Sequence, residues 1–264
     1  YLIMYYDLSF KCFEKMGNFS QAYSNIIKRN EIRKNLPENK KFHKKIILNL
    51  ISDYKKYFTN HNVQKFFVRK NITHDQSITF LIGFPRSGTT LLDTILRTHT
   101  NISVLEEKPF ISHIRDSFFE SNKNIINSLE KLDEETVIGL QLKYYGLFDI
   151  QKNNKKNTKQ IIDKFPLNII EIGFIKQIFP NSKFILALRH PCDVVLSCFT
   201  TNFKINEGMA NFYDLESTTF FYNEVFSLFD QYSKYFDIDL HYVKYEDVIN
   251  NFESTLKDLL FFLN

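Results

Sequence analysis

The sequence predicts an α/β protein, a three-layer domain around a central, mainly parallel sheet, preceded by an all-α segment. Three observations carry this reading. From about residue 75 onward, apolar runs of strand length alternate with helical patterns, as expected of parallel strands joined by crossover helices. Before that point the apolar residues recur only at helical spacing. Where the two regimes meet, a buried strand, a Gly/Pro/Ser turn and a helix follow one another directly from Ile78 to Leu92.

Taken in order, Tyr1 to about Asn35 reads as a helix hairpin, because Gly17-Asn18 interrupts the periodic run between Phe13/Met16 and Phe19/Ala22/Ile26. A further helix is expected over about Phe42 to Tyr57, with Ile46, Ile47, Leu50, Ile51 and Tyr54 on one face and lysines on the solvated face. Arg69 to Gln76 is polar and reads as a linker. Strands are expected at Ile78 to Ile82, Ile102 to Leu105, Gln160 to Ile162, Phe184 to Leu188 and Leu240 to Val243. Gln151 to Gln160, rich in Asn and Lys, is expected to be an exposed loop, and a helix is expected over about Phe252 to Leu263. The expected division is 1–74 for the helical segment and connector and 75–264 for the α/β domain, with both ends cut from something longer.

Composition narrows the function classes. With 44% hydrophobic and 24% charged residues, the chain can bury a core and is not disordered by composition. A net charge of +4 is too slight for a nucleic-acid surface and fits a local anionic ligand. Cys12, Cys192 and Cys198 form neither a disulfide framework nor a zinc-spaced pair, which points to a reducing compartment, and Cys192 and Cys198 are expected to pack as small apolar groups. No apolar run reaches the roughly 18 residues a membrane span needs.

The segment Gly83-Phe-Pro85-Arg86-Ser87-Gly88-Thr89-Thr90 follows a strand and opens a helix. Its backbone N–H groups and the helix N-terminus can converge on a phosphate. A nucleoside-triphosphate loop would place Lys where Thr89 stands, to reach the β- and γ-phosphates. Arg86 within the turn and hydroxyls at Ser87, Thr89 and Thr90 suit a nucleotide with a single 5′ group instead.

Phe84-Pro85-Arg86-Ser87-Gly88-Thr89-Thr90-Leu91-Leu92 resembles the 5′-phosphosulfate loop of sulfotransferases that use 3′-phosphoadenosine-5′-phosphosulfate (PAPS). The likeness is to the tyrosylprotein type and to bacterial enzymes linked to tetratricopeptide repeats. Phe184-Ile-Leu-Ala-Leu-Arg189-His-Pro-Cys-Asp193-Val-Val-Leu-Ser197 is similar to the family's 3′-phosphate segment, which implies Arg189 and Ser197 as its anchors. His99 to Pro109 resembles the segment whose second glutamate serves as the base, which implies Glu107. Ile161-Ile-Asp163-Lys164-Phe-Pro166 resembles the Lys-x-Pro segment, which implies that Lys164, with Arg86, stabilises the transferring group. Tyr6 to Tyr23 with Lys28-Arg29-Asn30 is similar to the last tetratricopeptide unit and connector of the bacterial enzymes, and Tyr245-Glu246-Asp247 to the closing strand and helix.

The resemblance therefore implies a P-loop-like domain that binds PAPS and no metal, and a cytoplasmic bacterial enzyme. Its acceptor is a hydroxyl on a peptide tyrosine, a carbohydrate or a small metabolite, and the helical segment offers a surface for a peptide partner. Acceptor contacts are expected in loops at Lys108 to Lys131 and Lys204 to Asp214. His99 and His113 are expected to be structural. The alternatives are a P-loop kinase or NTPase, and an inactive nucleotide-binding interaction module.

Overall fold

The computed structural model describes residues 1–59, 62, 78–119, 125–149 and 160–263. The expected linker at 69–76 lies outside the described residues, as does the expected loop at 151–160 apart from Gln160. By contacts, the chain divides into two compact units.

One unit comprises Tyr1–Leu50 and Pro191–Glu224. It holds α1 (Leu2–Lys15) and α2 (Phe19–Lys34), which form the expected hairpin around Gly17, and the start of α3 (Lys44–Tyr57). The Asn18 side chain caps α2 by accepting from the Gln21 amide at 3.2 Å. Buried polar groups of α2 meet carbonyls at the end of the helix Pro191–Thr200: Arg29 donates to the Thr200 carbonyl at 2.9 Å and Asn30 to that of Phe199 at 3.1 Å. These donors satisfy carbonyls that a helix C-terminus leaves without intrahelical partners. Arg29, wholly buried, is charge-compensated by Asp7 at 2.6 Å.

The other unit, Ile51–His190 and Val225–Asn264, contains the sheet. Strands β1 (Thr79–Gly83), β2 (Ile102–Glu106), β3 (Gln160–Lys164), β4 (Lys183–Leu188) and β5 (Asp239–Lys244) appear where the apolar runs predicted them. They pair in the order β2-β3-β1-β4-β5, every neighbour parallel. The chain leaves β1 in the middle of the sheet, and β3 and β4 flank it on either side. Such a reversal of strand order opens a crevice at the carboxyl ends of the strands, where open α/β sheets bind ligands.

Both faces of the sheet are covered, which explains why β1 reads as an unbroken apolar run. On one face Leu81, Ile162 and Ile185 pack with Leu92 and Leu96 of α4 (Thr89–Leu96) and with Leu259 and Leu263 near the C-terminus. On the other, Phe80 stacks on Phe184 with ring centroids 5.7 Å apart and meets Tyr144 and Phe179. Lys108 to Lys131, expected to be loop, instead carries two helices, α5 (Phe110–Phe119) and α6 (Ile125–Glu130). Phe110, Ile111 and Ile114 are buried, an apolar stripe that the nearby charges obscured in the sequence. Cys198 is buried as expected, whereas Cys192 is exposed in the first turn of its helix.

Candidate functional site

β1 ends at Gly83, and the chain turns through Phe84, Pro85, Arg86, Ser87 and Gly88 into α4. The turn closes with the Ser87 amide donating to the Phe84 carbonyl at 3.1 Å. Arg86 has φ 71° and Gly88 φ 101°, left-handed conformations of the kind found in the backbone turns that bind anions. Gly88 has a second constraint: a Cβ there would meet the Tyr245 ring at 2.9 Å. Ser87 Oγ is buried and has no hydrogen-bond partner among the described residues. An orphaned hydroxyl in such a cradle fits a phosphate-type oxygen, since leaving it dry costs about 1–3 kcal/mol. Pro85 and Thr89 are buried, while Arg86 and Thr90 are exposed.

At the ends of the neighbouring strands the chain gathers charge. Lys164 closes β3 with its side chain fully buried, and its ammonium lies 2.8 Å from Glu107 Oε1, 3.6 Å from Asp93 Oδ2 and 3.7 Å from Glu106 Oε1. The register places Glu106 opposite Lys164, and the Glu107 amide donates to the Lys164 carbonyl at 2.8 Å. Glu107 has φ 46°, so among the described residues the two non-glycine positions with positive φ are Arg86 and Glu107. Backbone strain of this kind costs on the order of 1–3 kcal/mol and clusters at functional sites.

Asp93, buried on α4, accepts from both Nε and Nη2 of Arg97, one helical turn later, and Nη2 also donates to Glu106 Oε2 at 2.8 Å. The Arg97 guanidinium holds the Glu106 carboxyl below its ordinary pKa, aided by the Lys164 charge. On the opposite face of β3, Asp163 is wholly buried and accepts from the Tyr144 hydroxyl at 2.8 Å, and burial pushes its pKa up to about 7.

Arg189 follows β4 and lies over the Tyr245 ring, 4.8 Å from its centroid, a cation–π contact that orients the guanidinium. The adjacent His190 amide donates to Glu246 Oε1 at 2.9 Å, which holds the Glu246 carboxyl below its usual range. The next helix, α7 (Pro191–Thr200), begins with proline and carries Ser197 two turns in, within the other unit. The structure thus brings Lys164 and Glu107 into contact, sets the loop at the end of β1, and puts Arg189 against Tyr245. His99 and His113 are exposed. Among the described residues no three His, Cys, Asp or Glu side chains group to hold a metal ion.

Residues 79–264 match the model of the sulfotransferase family. The chain belongs to that family. An uncharacterized protein of Aquifex aeolicus is 26% identical over 96% of this chain and 33% of its own length. Human protein-tyrosine sulfotransferase 1 is 29% identical over 44% of this chain and 32% of its own. Among solved structures, the sulfotransferase domain of a Synechococcus olefin synthase aligns with TM-score 0.48 and 20% identity over 74% of this chain and 76% of that one. The chain spans about a third of the length of the curated relatives it matches.

Sequence reasoning missed Asp93, Arg97 and Tyr245 as members of the candidate site. An Asp and an Arg four residues apart on the helix after the loop were a readable ion-pair signal. The contact of Tyr245 with Gly88 and Arg189 had none, because it depends on β5 ending beside β4.

Proposed function

We propose that this chain binds PAPS and transfers its sulfuryl group to an acceptor hydroxyl, with Glu107 as the base. The observation that carries the reading is the Lys164–Glu107 pair at the carboxyl end of β3, one strand away from the phosphate-type loop. The donor supplies an activated sulfuryl group on a 5′-phosphate. The amides of Arg86, Gly88, Thr89 and Thr90 and the hydroxyls of Ser87, Thr89 and Thr90 receive the 5′ end, with Pro85 shaping the turn, and Arg189 and Ser197 are assigned to the 3′-phosphate.

Glu107 takes the acceptor's hydroxyl proton as the acceptor oxygen bonds to sulfur. The bond from sulfur to the bridging oxygen breaks, and that oxygen keeps the electron pair on the 5′-phosphate. Lys164 and Arg86 stabilise the charge that builds there, each at about the 3 kcal/mol typical of a single catalytic electrostatic group. Thr89, where a triphosphate loop has lysine, disfavours the kinase reading.

Relatives named protein-tyrosine sulfotransferases make a tyrosine peptide the first acceptor to try, with carbohydrate and small hydroxylated metabolites as the other classes. Among the described residues no helix is long and apolar enough to cross a membrane. A cytoplasmic setting, residues 75–264 as the catalytic domain and a peptide-binding role for the tetratricopeptide-like helices belong to the same proposal.

The test incubates the intact protein with labelled PAPS and a mixed pool of tyrosine peptide, oligosaccharide and phenol, read by mass spectrometry. Label is expected in one acceptor class, and none with Glu107→Gln. Magnesium-dependent ATP turnover without sulfate transfer would instead support a kinase.

A further inference from the structure

The charge cluster behind Glu107 holds more carboxylates than the proposed chemistry uses. Glu107, Asp93 and Glu106 surround the buried Lys164 ammonium, yet only Glu107 is within hydrogen-bonding distance. The other two stop at 3.6 and 3.7 Å, and both are held by Arg97. Asp93 receives the guanidinium through two nitrogens, a bidentate fork anchored one turn along the same helix. No described contact joins Arg97 to Glu107. The guanidinium thus sorts the carboxylates into two that are restrained and one that is bound only through Lys164.

Building on the sulfotransferase reading, we propose that Arg97, seated on Asp93, is a positioning residue that keeps Glu106 off Lys164 so that the ammonium can leave Glu107 for the 5′-phosphate of the nucleotide. Lys164 is too buried to move without compensation, since a dry ammonium stripped of counter-charge is strongly disfavoured. Asp93 and Glu106, fixed just outside hydrogen-bonding distance, supply that compensation without capturing the group. When Lys164 turns to the phosphate, Glu107 loses its only described side-chain partner and is released to accept the acceptor's proton. Donor binding and release of the base become one event. Without Arg97, Glu106 swings onto Lys164 and competes with the nucleotide for it.

The test uses the intact protein, calorimetric binding of adenosine 3′,5′-bisphosphate, and transfer from PAPS to whichever pool acceptor the unmodified protein labels. Arg97→Gln is expected to weaken bisphosphate binding about tenfold and to slow transfer by about the same factor, the scale of one charge contact. Arg97→Gln combined with Glu106→Gln is expected to bring both back to within about twofold, a non-additivity that general loss of structure cannot produce. Arg97→Lys is expected to recover part of the loss, and thermal melting reports whether each variant folds. If the unmodified protein binds and transfers while Arg97→Gln matches it, or while the double variant is no better than the single, the inference is overturned and the sulfotransferase reading stands. If the unmodified protein neither binds nor transfers, both fall.

Discussion

Lys164 holds Glu107 at two points: its ammonium lies 2.8 Å from Glu107 Oε1, and its carbonyl accepts the Glu107 amide at 2.8 Å. The lysine side chain is fully buried and that of the glutamate 54% exposed, so the pair has one face in the core and the other toward solvent. Held this way, the proposed base is positioned by the end of β3 while its carboxylate stays open to solvent, where an acceptor could reach it.

Glu107→Gln is nearly isosteric and keeps an oxygen for Lys164, so folding and nucleotide binding are expected to survive. Loss of the base is expected to slow sulfate transfer by about 10²–10⁴-fold. Calorimetry with the bisphosphate and a transfer assay on the same preparation check the two halves separately.

Lys164→Met removes the cation and keeps most of the apolar stem. Transfer is expected to fall by about 10²–10³-fold, the usual cost of one preorganised electrostatic group. Equal loss in the acceptor's KM and none in kcat would show that the lysine acts in binding alone.

Gly88→Ala tests the cradle. A side chain at φ 101°, with its Cβ 2.9 Å from Tyr245, forces the loop or the ring to move. Destabilisation of about 1–3 kcal/mol is expected, together with weaker nucleotide binding, because the ring displaced is the one beneath Arg189. Denaturant titration and calorimetry read the two effects.

Asp163 predicts a pH dependence of stability. Burial raises its pKa from 3.8 to about 7, so between these values the folded state holds a proton that the unfolded chain has released. Stability is therefore fully present below about pH 4, falls as pH rises toward 7, and levels above it, by up to about 4 kcal/mol for this one group. Asp163→Asn is expected to keep the Tyr144 hydrogen bond, to abolish this slope and to be the more stable protein at pH 8. Parallel slopes for the two proteins would show that the carboxyl titrates normally.

Much of the fold was legible because hydrophobic burial writes itself into sequence period. β1 is buried on both faces and reads as a continuous apolar run, and Gly17-Asn18 marks the hairpin because a helix cannot run through it cheaply. The helices between Lys108 and Lys131 were hidden because few of their residues are buried, leaving a thin apolar stripe among charges. At the site, the residues proposed to touch ligand stood in recognisable strings, but their supports did not. Asp93 and Arg97, on and just after α4, matter through Glu106 and Lys164, which end strands β2 and β3, and Tyr245 matters through two loops. Such contacts arise from the strand order β2-β3-β1-β4-β5, which no local window of sequence contains.

The most direct measurement compares adenosine 3′,5′-bisphosphate with adenosine 5′-phosphate by calorimetry, on the intact protein and on Arg189→Ala. A PAPS site predicts that the bisphosphate binds more tightly and that Arg189→Ala removes most of that preference, about 1.5–3 kcal/mol for a charge-assisted contact. Equal affinity for the two nucleotides, or an unchanged preference in Arg189→Ala, would contradict it.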